Sequence, residues 1–187
     1  MLRPIRLLAL AALVTGAIAA AGCGEDLQQG QVQAVTDEGL YLNLSGLKYQ
    51  VQISRFLNPH NLEDSAYLKG LPSGTQISSK EIWFAVFMRV ENDGDRTETA
   101  TSDYSITDTQ HNTFRPVPLN TTKNVFAYRP QPLAPSAILP NPDGVAGQGS
   151  IQGSLVLFKL NEDDLQNRPL VLHITQGGQS RSVELDL

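Results

Sequence analysis

The stretch Glu81-Ile82-Trp83-Phe84-Ala85-Val86-Phe87-Met88-Arg89-Val90-Glu91-Asn92 decides the fold of this chain. Every even-numbered residue from Ile82 to Val90 is apolar, and so are the odd-numbered Trp83, Ala85 and Phe87. Because side chains alternate between the two faces of a β-strand, a strand here is apolar on both faces over most of its length. Such a strand lies in the middle of a sheet that is covered on both sides. We therefore predict that it is the central strand of a β-sandwich.

Segments on both sides of this stretch also have the pattern of strands. Leu40 to Leu44 and Leu47 to Ser54 alternate in polarity around a turn at Ser45-Gly46, and the second segment predicts Leu47, Tyr49, Val51 and Ile53 on its buried face. Further strands are predicted at Thr97–Asp108, Thr113–Val117, Val125–Tyr128 and Ile151–Leu160. Seven to nine strands with one short helix in a loop indicate an all-β, antiparallel two-sheet sandwich over residues 40–187.

The turns around these strands differ in how firmly they fix a register. Gly177-Gly178 favours a two-residue hairpin that sets Leu172 opposite Val183 and leaves His173 on the other face. Asp93-Gly94 allows either a hairpin that pairs Glu91 with Arg96 and Arg89 with Glu98, or a crossing to the second sheet. The sequence leaves both possibilities open.

Two long connections interrupt the strands. In the first, Asn61 is predicted to cap a short helix from Leu62 to Lys69, which ends at Gly70 and turns Leu62, Ala66 and Tyr67 toward the sandwich. The second, residues 129–150, contains five prolines followed by three glycines, which predicts one long surface loop with little apolar surface for the core. Trp83 and Phe87 are expected to lie in the core, under the second sheet or under residues 58–72.

The N-terminus has the composition of an export signal. Arg3 and Arg6 precede an uncharged run, Leu7 to Ala21, that is short for a membrane span, and the run ends at Gly22-Cys23. This arrangement resembles the signal of bacterial lipoproteins, in which a cysteine after small residues becomes the lipidated N-terminus. The family prefers leucine three residues before the cysteine, where this chain has Ala20. The alternative is an ordinary secretory signal that is cut after Ala19-Ala20-Ala21.

The resemblance implies that residues 1–22 are a signal peptide and that Cys23 is the lipidated residue. Cys23 is the only cysteine, so an internal disulfide is excluded. Loss of Arg3 and Arg6 would lower the net charge from −5 to −7, and an acidic domain does not attract nucleic acid or anionic headgroups. Residues 23–39 are predicted to be the lipidated N-terminus and a flexible tether, with a possible short edge strand at 31–35. The predicted location is the extracytoplasmic face of the cell membrane, which the chain reaches through its acyl chains.

The predicted domain also resembles the immunoglobulin-like domains of actinobacterial lipoproteins and secreted antigens. The matching features are the segment from Phe87 to Gly94 and the segment Ser154–Phe158 followed by Asn161-Glu162-Asp163. The resemblance implies an immunoglobulin-like sandwich and supplies no catalytic set, because members of this kind mostly have no assigned activity.

Residues that could carry chemistry are scattered along the sequence. His60, His111 and His173 do not have metal-ligand spacing, and Ser150 does not lie in a nucleophile motif. The acidic groups at 93–95 and 162–164 lack the spacing of a calcium loop and favour turn and cap roles. We therefore predict no cofactor and no metal.

The sequence favours a non-enzymatic surface lipoprotein that binds a protein or another component of the cell envelope. Long loops on a rigid scaffold commonly carry function, so loops 58–74 and 129–150 are the predicted binding loops, with His60, Tyr67, Arg129 and Leu133 as candidate contacts. One alternative is an accessory or catalytic component of cell-wall metabolism, which would need Glu63, Asp64 and Asp103 to converge. Another is a purely structural spacer.

Overall fold

The computed structural model describes residues 33–35 and 38–186, which form a β-sandwich. The strands are β1 (Gln33–Val35), β2 (Tyr41–Leu44), β3 (Leu47–Leu57), β4 (Glu81–Glu91), β5 (Glu98–Thr99), β6 (Asp103–Thr107), β7 (Thr113–Phe114), β8 (Pro132–Leu133), β9 (Ile138–Leu139), β10 (Ser154–Asn161), β11 (Val171–Gln176) and β12 (Gln179–Glu184). The helices are α1 (Leu62–Tyr67), α2 (Val145–Gln148) and a 3-10 helix at Glu162–Gln166.

Two sheets face each other. The β4 sheet has the strand order β10-β4-β3-β2, with β9 paired to the end of β4, and the β11 sheet has the order β1-β12-β11-β6-β7. Among the longer strands, β3-β4-β10 and β6-β11-β12 reproduce the A-B-E and C-F-G neighbours of the immunoglobulin fold. The predicted fold class, an all-β immunoglobulin-like antiparallel sandwich, is confirmed; the additional strands are two to four residues long.

Strand β4 is central, as predicted. Its residues from Trp83 to Met88 are at most 3% exposed, because β3 and β10 flank it and both of its faces are covered. The face toward the β11 sheet builds the main core, in which Tyr49, Phe84, Ile106 and Phe158 are completely or almost completely buried.

The other face of the β4 sheet carries a second core. Leu57, Trp83, Phe87, Leu155 and Leu157 lie on it, and Tyr67 of α1 packs over them. The covering residues come from 58–80 and 115–128, which we call the cover, together with Ile151. Trp83 and Phe87 therefore lie in the core under the 58–72 segment, one of the two predicted positions.

A β-bulge changes the face of β3. Val51 pairs with Met88 but Ile53 pairs with Phe87, so Gln52 is an extra residue in the ladder. Beyond the bulge the faces exchange: Ile53 is 37% exposed and Ser54 is buried. The prediction that Ile53 lies on the buried face was wrong for this reason.

The structure settles the turn at Asp93-Gly94 in favour of the crossing. Residues 98–99 pair with β8 and β6 joins the β11 sheet, so the predicted hairpin partners do not meet. Arg89 instead forms an ion pair with Glu91 at 2.7 Å. The buried Asn92 side chain donates to the carbonyls of Arg96 and Leu133, at 2.7 Å each, and fixes the crossing.

Several predicted strand limits differ from the observed ones. The predicted 97–108 strand is interrupted at residues 100–102, the 113–117 strand is only β7, and 125–128 is a turn with one bridge from Ala127 to Leu155. The C-terminal hairpin has the predicted register, with Leu172 opposite Val183.

The loop 129–150 packs into the sandwich, contrary to prediction. Leu133, Leu139 and Ala146 are between 2% and 6% exposed, and β8 and β9 pair with β5 and β4. Prolines rule out long strands but allow pairings of two residues at sheet margins, and these pairings hold the loop on the domain.

Part of the predicted tether also belongs to the domain. Strand β1 pairs in parallel with β12, which agrees with the possible edge strand, and the Glu38 carboxylate accepts the backbone N–H groups of Ser54 and Asp186 at 2.9 and 3.1 Å. Cys23 and the predicted signal peptide lie outside the described residues. No helix among the described residues is long and apolar enough to cross a membrane.

Candidate ligand-binding cleft

The topology separates the two ends of the sandwich. Because β1 runs parallel to β12 and pairs Gln33 with Arg181, the chain enters β1 from the side of the Gly177-Gly178 turn. The turn at Ser45 lies at this same end, since its Oγ donates to the Gln176 carbonyl at 3.4 Å. We call this the entry end, and we call the opposite end, where β3 ends and β4 begins, the far end.

The two predicted binding loops occupy opposite ends. Loop 129–150 is paired to the entry end of β4, whereas loop 58–74 starts at the far end of β3. His60 and Arg129 are exposed, but Tyr67 and Leu133 are only 5% and 2% exposed. Tyr67 and Leu133 are therefore core residues in this structure, and their side chains are not available as contacts for a partner.

The carboxylates of the enzymatic alternative do not converge. The buried Asp64 on α1 is ion-paired with Arg55 of β3, on the outer face of the β4 sheet. Asp103 belongs to the other sheet and pairs with the exposed Arg115 at 3.0 Å. Among the described residues there is no group of three or more His, Cys, Asp or Glu side chains that could hold a metal ion.

His173 also has a local hydrogen-bonding role. Its Nε2 lies 2.8 Å from Thr107 Oγ1 on the neighbouring strand β6, and burial lowers the pKa of the imidazole. The half-buried ring is therefore neutral at pH 7 and joins two strands of the β11 sheet.

At the far end, Asp108 organises the turn that leads to β7. Its carboxylate accepts the backbone N–H groups of Gln110 and Asn112 at 2.9 and 2.8 Å and the side-chain amides of Asn112 and Asn167. Burial alone would raise the pKa of Asp108, but these hydrogen bonds outweigh it and the pKa is lowered. His111, next to Asn112, takes a positive φ of 63° in this turn.

Helix α1 is fixed at its N-terminus by two side chains. Asn61 Oδ1 accepts the N–H groups of Glu63 and Asp64 at 2.9 and 3.2 Å, as a cap does. The Asp64 carboxylate accepts the Asn58 N–H at 2.8 Å and pairs with Arg55. The predicted cap is confirmed, but Leu62 is 89% exposed and does not face the sandwich.

The C-terminal side of α1 is held by the second part of the cover. Asn124 is 2% exposed, and its Nδ2 donates to the carbonyls of Tyr67 and Lys69 at 2.7 and 2.9 Å. Gly70 has a φ of +78°, and a Cβ there would lie 2.8 Å from the Asn120 carbonyl oxygen, so the close approach requires glycine. These contacts make α1 and its surroundings a fixed layer.

A cleft of about 400 Å³ opens between α1 and residues 75–77 of this layer. Leu68, Leu71, Ile77 and Pro59 supply apolar surface, Ser65, Thr75 and Gln76 supply polar groups, and Trp83 belongs to the sheet beneath. No charged side chain lines it. It lies in the first predicted binding loop, although the sequence did not single out residues 75–77.

Trp83 is the only tryptophan of the chain and is 3% exposed. Its indole Nε1–H makes no hydrogen bond to any described group. Unlike the hydroxyl of Tyr104, which is sealed from solvent without a partner, the nitrogen is not among the fully enclosed polar atoms. Trp83 lines the cleft, and its indole nitrogen is not completely enclosed by the protein.

A second cleft, of about 380 Å³, lies on the flank between residues 116–121 and β10. The rings of Tyr104 and Tyr128 pack edge to face there at 5.2 Å, and Tyr128 Oη donates to the Thr101 carbonyl at 2.8 Å. Burial raises the pKa of both hydroxyls, so they remain neutral. Tyr49 Oη accepts the Thr101 N–H at 2.9 Å, which makes this tyrosine cluster part of the core.

Comparisons with known proteins find similar folds but assign no function to this chain. No family model matches the chain, and no curated protein sequence matches it. The structure of the yjhA protein from Bacillus subtilis is similar, with a TM-score of 0.52 and 12% identity over 81% of this chain and 100% of that chain. An uncharacterized beta-sandwich protein from Clostridium difficile 630 has a TM-score of 0.47 and 10% identity, over 85% and 97% of the two chains.

Proposed function

We propose that this chain is a membrane-anchored, extracytoplasmic lipoprotein with a non-enzymatic binding role at the cell envelope. In this proposal Cys23 carries the acyl chains, residues between Cys23 and β1 connect it to the sandwich, and the cover presents its cleft to a ligand or envelope partner. The observation that carries the binding role is the fixed, largely apolar cleft at the far end, remote from the point where the chain enters β1.

The anchor is supported by the sequence. Cys23 is the sole cysteine and follows small residues at the end of an uncharged run. Two acyl chains give stable attachment, since each buried methylene contributes about 0.8 kcal/mol. The acidic mature chain would not be attracted to anionic headgroups, so attachment depends on those chains.

The distance from the anchor supports the orientation. Ten residue steps separate Cys23 from Gln33, which limits the reach of the connection to about 35 Å. The 11 residues of β4 separate the entry end from the far end by roughly 36 Å more. The cleft would therefore lie farther along the chain's path from the anchor than the entry end does, by about the length of β4.

Metabolic labelling with an alkyne fatty acid tests the anchor. Cys23→Ala should abolish the label and leave the protein uncleaved or released, whereas the control Ala20→Leu, which restores the residue that lipoprotein signals prefer, should keep it. A Cys23→Ala protein that is cleaved to mature size and still fractionates with membranes would refute the lipid anchor.

Energy transfer to a membrane-surface dye tests the orientation. With Cys23 acylated, a cysteine at His60→Cys or at Asp95→Cys would be the only free thiol for a donor dye. The exposed Asp95 follows β4 at the entry end and His60 lies at the far end, so transfer should be stronger from Asp95→Cys. Equal transfer from the two positions would contradict the orientation.

A further inference from the structure

The cleft beside Trp83 contains a hydrogen-bond donor for which the described part of the chain supplies no acceptor. Trp83 is 3% exposed, its side chain lines the cleft, and its Nε1–H makes no hydrogen bond to any described group. Buried polar groups in folded proteins are nearly always paired, with protein or with a bound molecule. A molecule bound in the cleft could supply the acceptor that the described residues do not.

We propose that the Trp83 cleft binds a small, uncharged, largely apolar molecule that carries a carbonyl or hydroxyl oxygen, and that this oxygen accepts a hydrogen bond from Trp83 Nε1–H. The proposal deepens the binding role proposed above, but it rests on the geometry of the cleft and not on the lipid anchor.

The lining selects against charge. Leu68, Leu71 and Ile77 provide apolar contact, and the polar residues of the cleft are Ser65, Thr75 and Gln76, all neutral. A carboxylate or an ammonium group would lose hydration there without gaining a counter-charge, which is unfavourable. An uncharged ligand loses little hydration by comparison.

The size and rigidity of the cleft suit a small ligand. Its volume of about 400 Å³ lies within the range of about 300–1,000 Å³ that is usual for small-molecule sites. The Arg55–Asp64 ion pair and the hydrogen bonds of Asn124 fix α1 before any ligand arrives. A preformed wall reduces the ordering cost of binding.

The sole tryptophan makes the test direct, because an ¹⁵N-labelled protein gives a single indole N–H resonance. Cyclohexanone is the probe, since it is neutral and apolar and has one carbonyl acceptor. Its addition should move the Trp83 indole proton downfield in a saturable manner. The matched probe cyclohexanecarboxylate should bind at least tenfold more weakly.

Two variants separate the cleft from general effects of the probe. Leu68→Ala removes part of the wall and should weaken cyclohexanone binding severalfold, whereas Val125→Ala, which changes a residue that is 61% exposed and outside this cleft, should not alter it. Trp83→Phe should weaken binding roughly fivefold to tenfold in ligand-observed saturation-transfer measurements, the loss expected for one hydrogen bond. Each variant is first checked for the far-UV circular dichroism spectrum of the wild type.

Three results would overturn the proposal. A shift that grows linearly up to the solubility limit, or no shift, would mean that water satisfies the indole N–H. Equal binding of the carboxylate would refute the selection for uncharged ligands. Unchanged binding in a folded Leu68→Ala protein would place the probe elsewhere. None of these results bears on fatty-acid labelling at Cys23, so the anchor can fail or succeed independently.

Discussion

Substitution of Asn124 by alanine should loosen the cover and leave the sandwich beneath it folded. Asn124 lies between the two parts of the cover, where its amide donates to the carbonyls of Tyr67 and Lys69 and its Oδ1 accepts the N–H of Phe126 at 2.9 Å. Alanine removes all three hydrogen bonds and introduces no group that could replace them.

The expected loss of stability follows from the burial of this site. Asn124 is 2% exposed, so water does not readily replace the lost contacts. A buried donor or acceptor left without a partner costs about 1–3 kcal/mol, and some relaxation around a small cavity is expected. We therefore expect Asn124→Ala to lower the free energy of unfolding by about 3 kcal/mol, a large part of the stability of an ordinary domain.

The assay is urea denaturation followed by two probes. Tryptophan fluorescence reports the cover, since Trp83 lies directly beneath it, and far-UV circular dichroism reports the strands. In the wild type the two transitions should coincide. In Asn124→Ala the fluorescence transition should occur at a lower urea concentration than the circular dichroism transition. The substitution removes hydrogen bonds between the two parts of the cover, whereas the hydrogen bonds of the two sheets remain.

Asn120→Ala is the matched control. Asn120 is exposed, and its side chain makes only local contacts with Thr122, so its loss should cost less than about 1 kcal/mol. An Asn124→Ala protein that unfolds like Asn120→Ala, with coincident transitions, would refute the interpretation of Asn124 as the connection within the cover.

Three further predictions concern the core, the second loop and pH. Val51→Asp should lower the free energy of unfolding by several kcal/mol, whereas Ile53→Asp should lower it by about 1 kcal/mol or less, because the bulge exposes Ile53. Equal decreases in the unfolding free energy, measured by urea denaturation, would contradict the observed register. Leu133→Ala should lower the unfolding free energy by about 2–4 kcal/mol, whereas Val145→Ala, at a residue that is 62% exposed, should lower it by less than about 0.5 kcal/mol. If Leu133→Ala does not change the unfolding free energy, the loop 129–150 does not pack into the core. The folded pKa of Asp108 is lowered, so the carboxylate stabilises the fold above its unfolded pKa of about 3.9, and this contribution is lost as the pH falls below that value. Asp108→Asn should therefore reduce the decrease in unfolding free energy between about pH 5 and pH 2. If this decrease is the same in Asp108→Asn as in the wild type, Asp108 does not cause it.

Much of the fold could be predicted from local pattern and turn chemistry. Strand β4, the Gly177-Gly178 hairpin and the Asn61 cap depend on residues close in sequence whose side chains determine the outcome directly. Where two physical solutions were similar in local energy, as at Asp93-Gly94, the sequence alone did not separate them. Asn92 decides that crossing through a carbonyl 41 residues away, a contact that no local pattern reveals.

The predictions from sequence that were wrong also failed because they depend on contacts between residues that are distant in the sequence. The bulge at Gln52 inserts one residue, and with a period of two this moves every later side chain of β3 to the opposite face. The prolines of 129–150 correctly excluded long strands, but two-residue pairings and buried Leu133 depend on where the loop meets the ends of β4 and β5. The Trp83 cleft was missed because Ser65, Leu71 and Gln76 come together only after α1 has docked.

The cleft nevertheless follows from the first observation on the sequence. A strand that is apolar on both faces requires a second layer on its outer side, and the only third sheet among the described residues, the two-stranded β5-β8 sheet, does not supply it. Residues 58–80 and 115–128 supply that layer with one short helix and irregular backbone, whose polar groups must be satisfied one by one, as Asn61, Asp64 and Asn124 do. An irregular layer cannot match the surface of a sheet as closely as another sheet can, so a gap is left beside Trp83, the largest side chain on that face. The features that stabilise the outer face of β4 are thus the same features that create a fixed, largely apolar cleft lined by the Trp83 indole.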